Sequence, residues 1–352
     1  MCATEADQAR AWAARHLHGL VPIEDASPLA ADASTRSFWR VRGVAGRSVV
    51  VVFGTGWETD YLSQPDNTWM ELPFVVLGRM LQSIGVPVSA IICHDAENDV
   101  VAVEDLGDTT MAGALAAAGA AQREVLFDRA LAIIARMQVM TAEARDWAPP
   151  LAGRCLDRAT LVWEFDHYLE WGLCGVPWSD GELATVHAAF GSICDELAAL
   201  DLVLTHRDFH VHNLMCTVTG DLAVIDFQDM LLANPLYDLA SLLYDSYAAD
   251  WIDDHMRQRL LRRWQPRLPA VSSLKFPEFE RLAMLQAVQR CLKAAGRFGW
   301  LACHRGRPLF LERQRPALEV AVKLMAQLPD LAQLAQHLAA HVPAFSAALI
   351  RP

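Results

Sequence analysis

The feature that most restricts the fold is a β island inside otherwise helical sequence. Residues 202–229 read LVLTHRDFHVHNLMCTVTGDLAVIDFQD. Residues 202–205 are apolar and strand-like, and 206–213 are polar. Residues 214–218 form a second strand-like run, Thr219-Gly220-Asp221 a turn, and 222–225 a strand that delivers Asp226. Two short strands therefore hold a polar loop and an acid at their ends.

The first hundred residues have a different texture. Residues 5–20 have helical spacing. Residues 37–42 and 47–53 read as strands joined by Gly43-Val44-Ala45-Gly46, and the β-branched run at 49–52 strengthens the hairpin signal. A helix is expected over 72–84, stopped by Gly85 and Pro87. Two more strands, 88–93 and 100–104, flank the turn Glu97-Asn98-Asp99. The order is β-β-α-β-β, a small, mostly antiparallel sheet with one helix. From 111 to 140 the chain is Ala-rich with helical apolar spacing, and 141–154, with Pro149, Pro150 and Gly153, reads as a loop. Helices are expected over 155–171, 181–200 and after about 235. The switch near Leu106-Gly107 predicts two lobes, residues 1–106 and 107–352.

Composition narrows the partners. The net charge of -12 argues against a nucleic-acid binder, which needs a basic face to release counterions. The eight cysteines include no C-x-x-C pair and read as buried hydrophobes of a reducing compartment. The N-terminus has no basic n-region and apolar h-region, and no apolar run is long enough to span a bilayer. A soluble cytoplasmic protein, a monomer or weak dimer with no membrane partner, is the expectation.

The island places His206, Asp208, Asn213 and Asp226 in one cluster. Phosphoryl transfer needs such a set: a carboxylate to orient the attacking hydroxyl, and an amide oxygen with a second carboxylate to hold Mg²⁺. H-x-D-x-x-x-x-N followed by Asp226, 13 positions after Asn213, supplies those types in order.

On these residues the chain resembles the aminoglycoside phosphotransferase and choline kinase superfamily. HRDFHVHN matches its catalytic loop, IDFQD its metal-binding segment and Pro235-Leu236-Tyr237-Asp238-Leu239-Ala240 its downstream signature. Asp32-Ala33-Ser34-Thr35-Arg36, Val103-Glu104-Asp105-Leu106-Gly107 and Gln289-Arg290-Cys291-Leu292-Lys293 resemble the branch of cell-wall amino-sugar anomeric kinases. The resemblance implies an α+β, bilobal, protein-kinase-like fold with a small antiparallel-sheet N-terminal lobe and a larger helical C-terminal lobe. It implies ATP and Mg²⁺ as cofactors and phosphorylation of N-acetylmuramate or N-acetylglucosamine at C1. Asp208 would be the catalytic base, His206 would brace the loop with Asp238, and Asn213 and Asp226 would be metal ligands. Ser34, Thr35 and Arg36 would lie over the phosphates, and Glu104, Asp105 and Leu106 would hydrogen-bond adenine.

The pattern departs from a kinase in one respect. The only lysines are Lys275, Lys293 and Lys323, so none lies in the small lobe to meet phosphate. Arg36 and Arg40 are the nearest substitutes, since arginine binds phosphate bidentately. Glu71 is either the partner of such an arginine or a helix-start carboxylate stabilised by the dipole. For the acceptor, Glu164 and Asp166 in an aromatic helical segment, His210 and Asp229 beside the catalytic cluster, and Arg290 are candidates. The aromatics of that segment equally suit a buried helix face. Other acceptors (aminoglycoside, choline or homoserine type) and a nucleotide-binding pseudokinase are the rival readings.

Overall fold

The computed structural model describes residues 5–29, 36–54, 69, 71–172, 179–217 and 219–341. The chain divides into two compact units. The first comprises Met1–Met111, Ala142–Gly153 and Asn213–Met230; the second comprises Ala112–Thr141, Arg154–His212 and Leu231–Pro352. The chain thus leaves the first unit after Met111 and returns to it twice.

The first unit is built on a five-stranded antiparallel sheet in the order β1-β2-β3-β5-β4. The strands are β1 (Ile23–Leu29), β2 (Ser37–Gly43), β3 (Ser48–Phe53), β4 (Ile91–Asp95) and β5 (Val100–Glu104). Helix α1 (Glu5–His16) covers one face, where Trp12 and Ala13 pack with Val41, Val49, Val51, Val100 and Ala102. Helix α2 (Pro73–Ser83) brings Val75 against Val101 and Val103, with Val50 and Ile91 packed alongside. The unbroken valine run of β3 follows from this arrangement, because a strand covered on both faces has no polar side to alternate with. Burying each valine contributes about 1.5–3 kcal/mol. The sequence pattern missed β1. Its Glu24, Asp25 and Pro28 are poor strand formers, and pairing with β2 at the sheet edge overrides that preference.

The second unit is mainly helical. The stretch expected as one helix over 111–140 is two, α3 (Met111–Ala117) and α4 (Ala120–Val139), broken at Ala118-Gly119 with Gly119 as the extended N-cap. Residues 141–154, expected as a loop, hold α5 (Thr141–Trp147) and a 3₁₀ turn. Helices α6 (Arg158–His167) and α7 (Asp180–Ala198) follow, the latter opened by a Ser179/Glu182 capping box. The island contributes β6 (Val203–Thr205), β7 (Leu214–Cys216) and β8 (Leu222–Val224), and β9 (Leu231–Ala233) is a strand the sequence did not announce. The chain ends with α8 (Tyr237–Leu243), α9 (Asp254–Trp264), α10 (Phe276–Cys303), α11 (Phe310–Met325) and α12 (Ala332–His341). Gly296 and Gly299 let α10 lie close against the π-turn Tyr168–Gly172. A Cβ on Gly296 would come within 2.8 Å of the Tyr168 backbone, and one on Gly299 within 2.2 Å of the Trp171 carbonyl.

Candidate active site

In the second unit, β6 pairs with β9 and releases the chain into the polar loop. Asp238, in the first turn of α8, accepts the backbone N–H groups of His206 at 2.7 Å and Arg207 at 3.0 Å. Asp238 thereby holds the start of the loop through the backbone of His206 and Arg207. Burial pushes the Asp238 carboxyl up to about 6, against the nearby His206 and the two N–H donors. Arg207 is left-handed (φ +80°), a costly conformation for a residue with a side chain. This turn delivers the next residue, Asp208, whose side chain stays 41% exposed. Further along, Val211 accepts the N–H of Ala112 and is fully buried, which ties down the far end of the loop.

The charges around Asp208 are one-sided. Burial opposes its ionisation, but Lys293, Arg290, Arg207 and His210 outweigh it and hold the carboxyl well below the usual carboxylate range. With so much of the side chain open to solvent, the cations decide the outcome. Burial drives the His210 imidazole down to about 4, although Asp245 and Asp208 pull the other way. His210 and His212 both meet the Tyr247 ring, with centroids 4.9 and 5.1 Å away.

In the first unit, β7 and β8 form a hairpin stitched to the sheet side by backbone bonds from Val224 to Pro87 and from Cys216 to Thr109. Ile225 N–H donates to the Asn213 carbonyl. Asp226 follows in the left-handed region (φ +63°), a non-glycine conformation that recurs at functional turns. Phe227 anchors it by stacking on Phe74 of α2 at 4.8 Å, close over Gly78. Asp226 is 42% exposed and accepts from Arg36 at 2.9 Å and from Gln228 at 3.0 Å. Gln228 also donates to Asp229 at 3.2 Å, so Asp229 sits one side chain from Asp226.

The two arginines offered as lysine substitutes separate here. Arg40 is buried and donates twice to Asp105, with further bonds to Asp108 and the Gly107 carbonyl. Ser48 completes the Asp105 carboxylate at 2.6 Å. Arg40 is thus committed to the segment after β5. Arg36 instead reaches the acid of the Asp-Phe turn. Glu71 turns to Arg79 at 2.7 Å and His94 at 3.0 Å, a local pairing at the start of α2. Of the adenine-contact candidates, Glu104 already uses its N–H on the Ala90 carbonyl and accepts Ser89 Oγ at its own carbonyl. Asp105 is the buried partner of Arg40, and Leu106 follows it. Ser34 and Thr35 lie outside the described residues.

The acceptor candidates on α6 part company. Glu164 is fully buried and accepts Gln289 Nε2 of α10 at 2.6 Å; Gln289 continues to Gln286 and Asn234. Its carboxylate is enclosed rather than on an open wall. Asp166 is exposed beside His187, 3.5 Å away. Arg290 is buried against the loop that carries Asp208, and neither its burial nor its contacts could be read from neighbouring sequence. Asp245 was absent from the sequence candidates; only the fold brings it to Arg290.

A model of the phosphotransferase enzyme family (APH) matches residues 25–276. The chain belongs to this family. As a member of the phosphotransferase family it is similar to the N-acetylmuramate/N-acetylglucosamine kinase of Pseudomonas aeruginosa, 32% identical over 349 residues, covering 96% of this chain and 93% of the relative. The kinase of the same name from Neisseria meningitidis is 28% identical, covering 82% and 81%. Its fold is similar to that of a choline/ethanolamine kinase family protein from Mesorhizobium loti, with a TM-score of 0.60 at 18% identity over 95% and 98% of the two chains. A spectinomycin phosphotransferase solved with ADP and spectinomycin gives 0.57 at 14% identity over 92% and 99%. The bilobal kinase-like α+β class and the phosphotransferase activity expected from the motifs are thereby established. Among the described residues no helix is long and apolar enough to cross a membrane.

Proposed function

We propose that this phosphotransferase moves the γ-phosphoryl group of ATP to the anomeric hydroxyl of N-acetylmuramate or N-acetylglucosamine. The observation that carries the reading is the Asp208 turn: a carboxylate open to solvent, kept ionised by Lys293, Arg290 and Arg207 and fixed by a buried acid through the backbone. The kinship with kinases named for these two sugars supports the choice of acceptor.

Asp208 orients the sugar hydroxyl and takes its proton late, since so depressed a carboxyl is a weak base. Positioned acid–base assistance of this kind contributes on the order of 10²- to 10⁴-fold. Asn213 and Asp226 offer hard oxygen donors, and one or two carboxylates completed by nucleotide phosphates suit Mg²⁺. Asn213 and Asp226 would hold the ion, which would supply charge neutralisation to the nucleotide phosphates. Arg36, seated at Asp226, is the small-unit cation for the phosphates, and the Leu106 backbone is the adenine contact.

The test is incubation with Mg-ATP and each sugar, followed by phosphorus NMR. A new anomeric phosphate signal is expected. Nucleotide-dependent stabilisation without any product from either sugar would overturn the acceptor assignment.

A further inference from the structure

Arg290 lies on α10, 82 residues from Asp208 in sequence, yet is only 6% exposed beneath the catalytic turn. One of its terminal nitrogens donates to the Arg207 carbonyl at 2.5 Å. The other lies 3.3 Å from Asp208 Oδ1 and 3.4 Å from Asp245 Oδ2. The guanidinium carbon also stands 5.4 Å from the Tyr237 ring centroid. A single planar fork therefore touches the backbone of the left-handed residue and the carboxylate that follows it. An ammonium cannot hold that geometry, because its donors radiate from a single nitrogen atom.

The turn at Arg207 is consequently gripped from two directions. Asp238 holds the N–H groups of residues 206 and 207, while Arg290 holds the carbonyl of residue 207. Asp245 is itself fixed, since its other oxygen accepts Tyr247 N–H at 3.1 Å as the cap of a short helical turn. Arg290 is thus supported on one side by Asp245 and acts on the other upon Asp208.

We propose that Arg290 is a positioning residue for phosphoryl transfer: its guanidinium fork sets the direction of the Asp208 carboxylate by tying it to the left-handed turn at Arg207 and to Asp245. The role rests on the reading of Asp208 as the hydroxyl-orienting group. It assigns to Arg290 a task distinct from contact with the sugar.

The test uses Arg290→Lys and Arg290→Gln in the full chain. The wild-type reaction with N-acetylmuramate is the control for the functional reading itself. In Arg290→Lys, which keeps the charge and loses the fork, kcat is expected to fall about 10- to 100-fold with KM for ATP within twofold. Arg290→Gln should fall further, and ADP binding should persist in both folded variants. A lactyl or hydroxyl contact of Arg290 with the sugar would instead raise the acceptor KM at near-normal kcat, and would overturn the proposal. So would a kcat within threefold of wild type in Arg290→Lys.

The second readout does not need turnover. Carboxyl ¹³C NMR of Asp208, assigned with Asp208→Asn, follows its titration among the groups that face it: Arg207 and His210 on its own loop, Arg290 and Lys293 on α10, and Asp245 after α8. Asp208 should titrate at higher pH in Arg290→Gln than in wild type. An unchanged titration overturns the proposal even if no sugar is phosphorylated.

Discussion

Asp208 and Asp226 are equally exposed, at 41% and 42% of their side-chain surface, and each is set by a left-handed residue at or just before it. Their electrostatic surroundings differ. Asp208 faces Arg290 and Lys293 of α10 and Arg207 and His210 of its own loop. Among the described residues Asp226 faces one arginine, Arg36, which the resemblance places over the phosphates. The protein has neutralised one aspartate from within. The other has Arg36 and the neutral Gln228 amide as side-chain donors, which is compatible with the metal-ligand role proposed for it. On the proposed reading, equal exposure with unequal neutralisation separates the orienting carboxylate from the ligand.

Substitution at the two aspartates would sharpen this contrast most. Asp208→Asn should lower turnover by about 10²- to 10⁴-fold with ADP affinity preserved, measured by product NMR and calorimetry. Asp226→Asn should instead abolish the gain in ADP affinity that Mg²⁺ confers. Identical behaviour of the two variants would break the comparison.

The two small-unit arginines come next. Removing Arg40 strands a buried Asp105, and breaking a buried pair costs about 3–5 kcal/mol. Arg40→Met should therefore lower the melting temperature strongly while the folded fraction still binds nucleotide. Arg36→Gln should leave the melting temperature almost unchanged. It should weaken ADP binding about tenfold or more, the worth of one charge-assisted hydrogen bond. Reversed outcomes would exchange the two roles.

The smallest effect concerns His210. Its folded imidazole titrates near 4, below its ordinary 6.5, so protonation favours the unfolded chain. The stability this contributes is complete above pH 6.5 and is lost as pH falls towards 4. Wild type should lose more melting temperature over that interval than His210→Gln; parallel curves would show that His210 is not responsible.

Much of this contrast was legible in the sequence because it is local. His206, Asp208 and Asn213 lie within eight residues, and Asp226 lies one hairpin further on. Two kinds of information were not. Arg36 and Arg40 are equivalent by proximity, and only Asp105 and Asp108, more than sixty residues away, show that Arg40 is already occupied. The contacts of Arg290 and Asp245 with the catalytic turn likewise depend on tertiary packing. Strand β9 escaped notice for a related reason: Leu231-Leu232-Ala233 is too short to show a period and exists through β6.

The β7–β8 hairpin belongs to the first unit although more than a hundred residues separate it from the five-stranded sheet. On the ribosome, the sheet therefore emerges long before the segment that completes its unit. Until residue 230 has left the exit tunnel, Phe74 has no Phe227 to stack on, and Pro87 and Thr109 have no hairpin to receive. Cutting the gene at residue 106 would not yield a self-sufficient nucleotide module. It would yield a nascent chain held at an unfinished stage of synthesis.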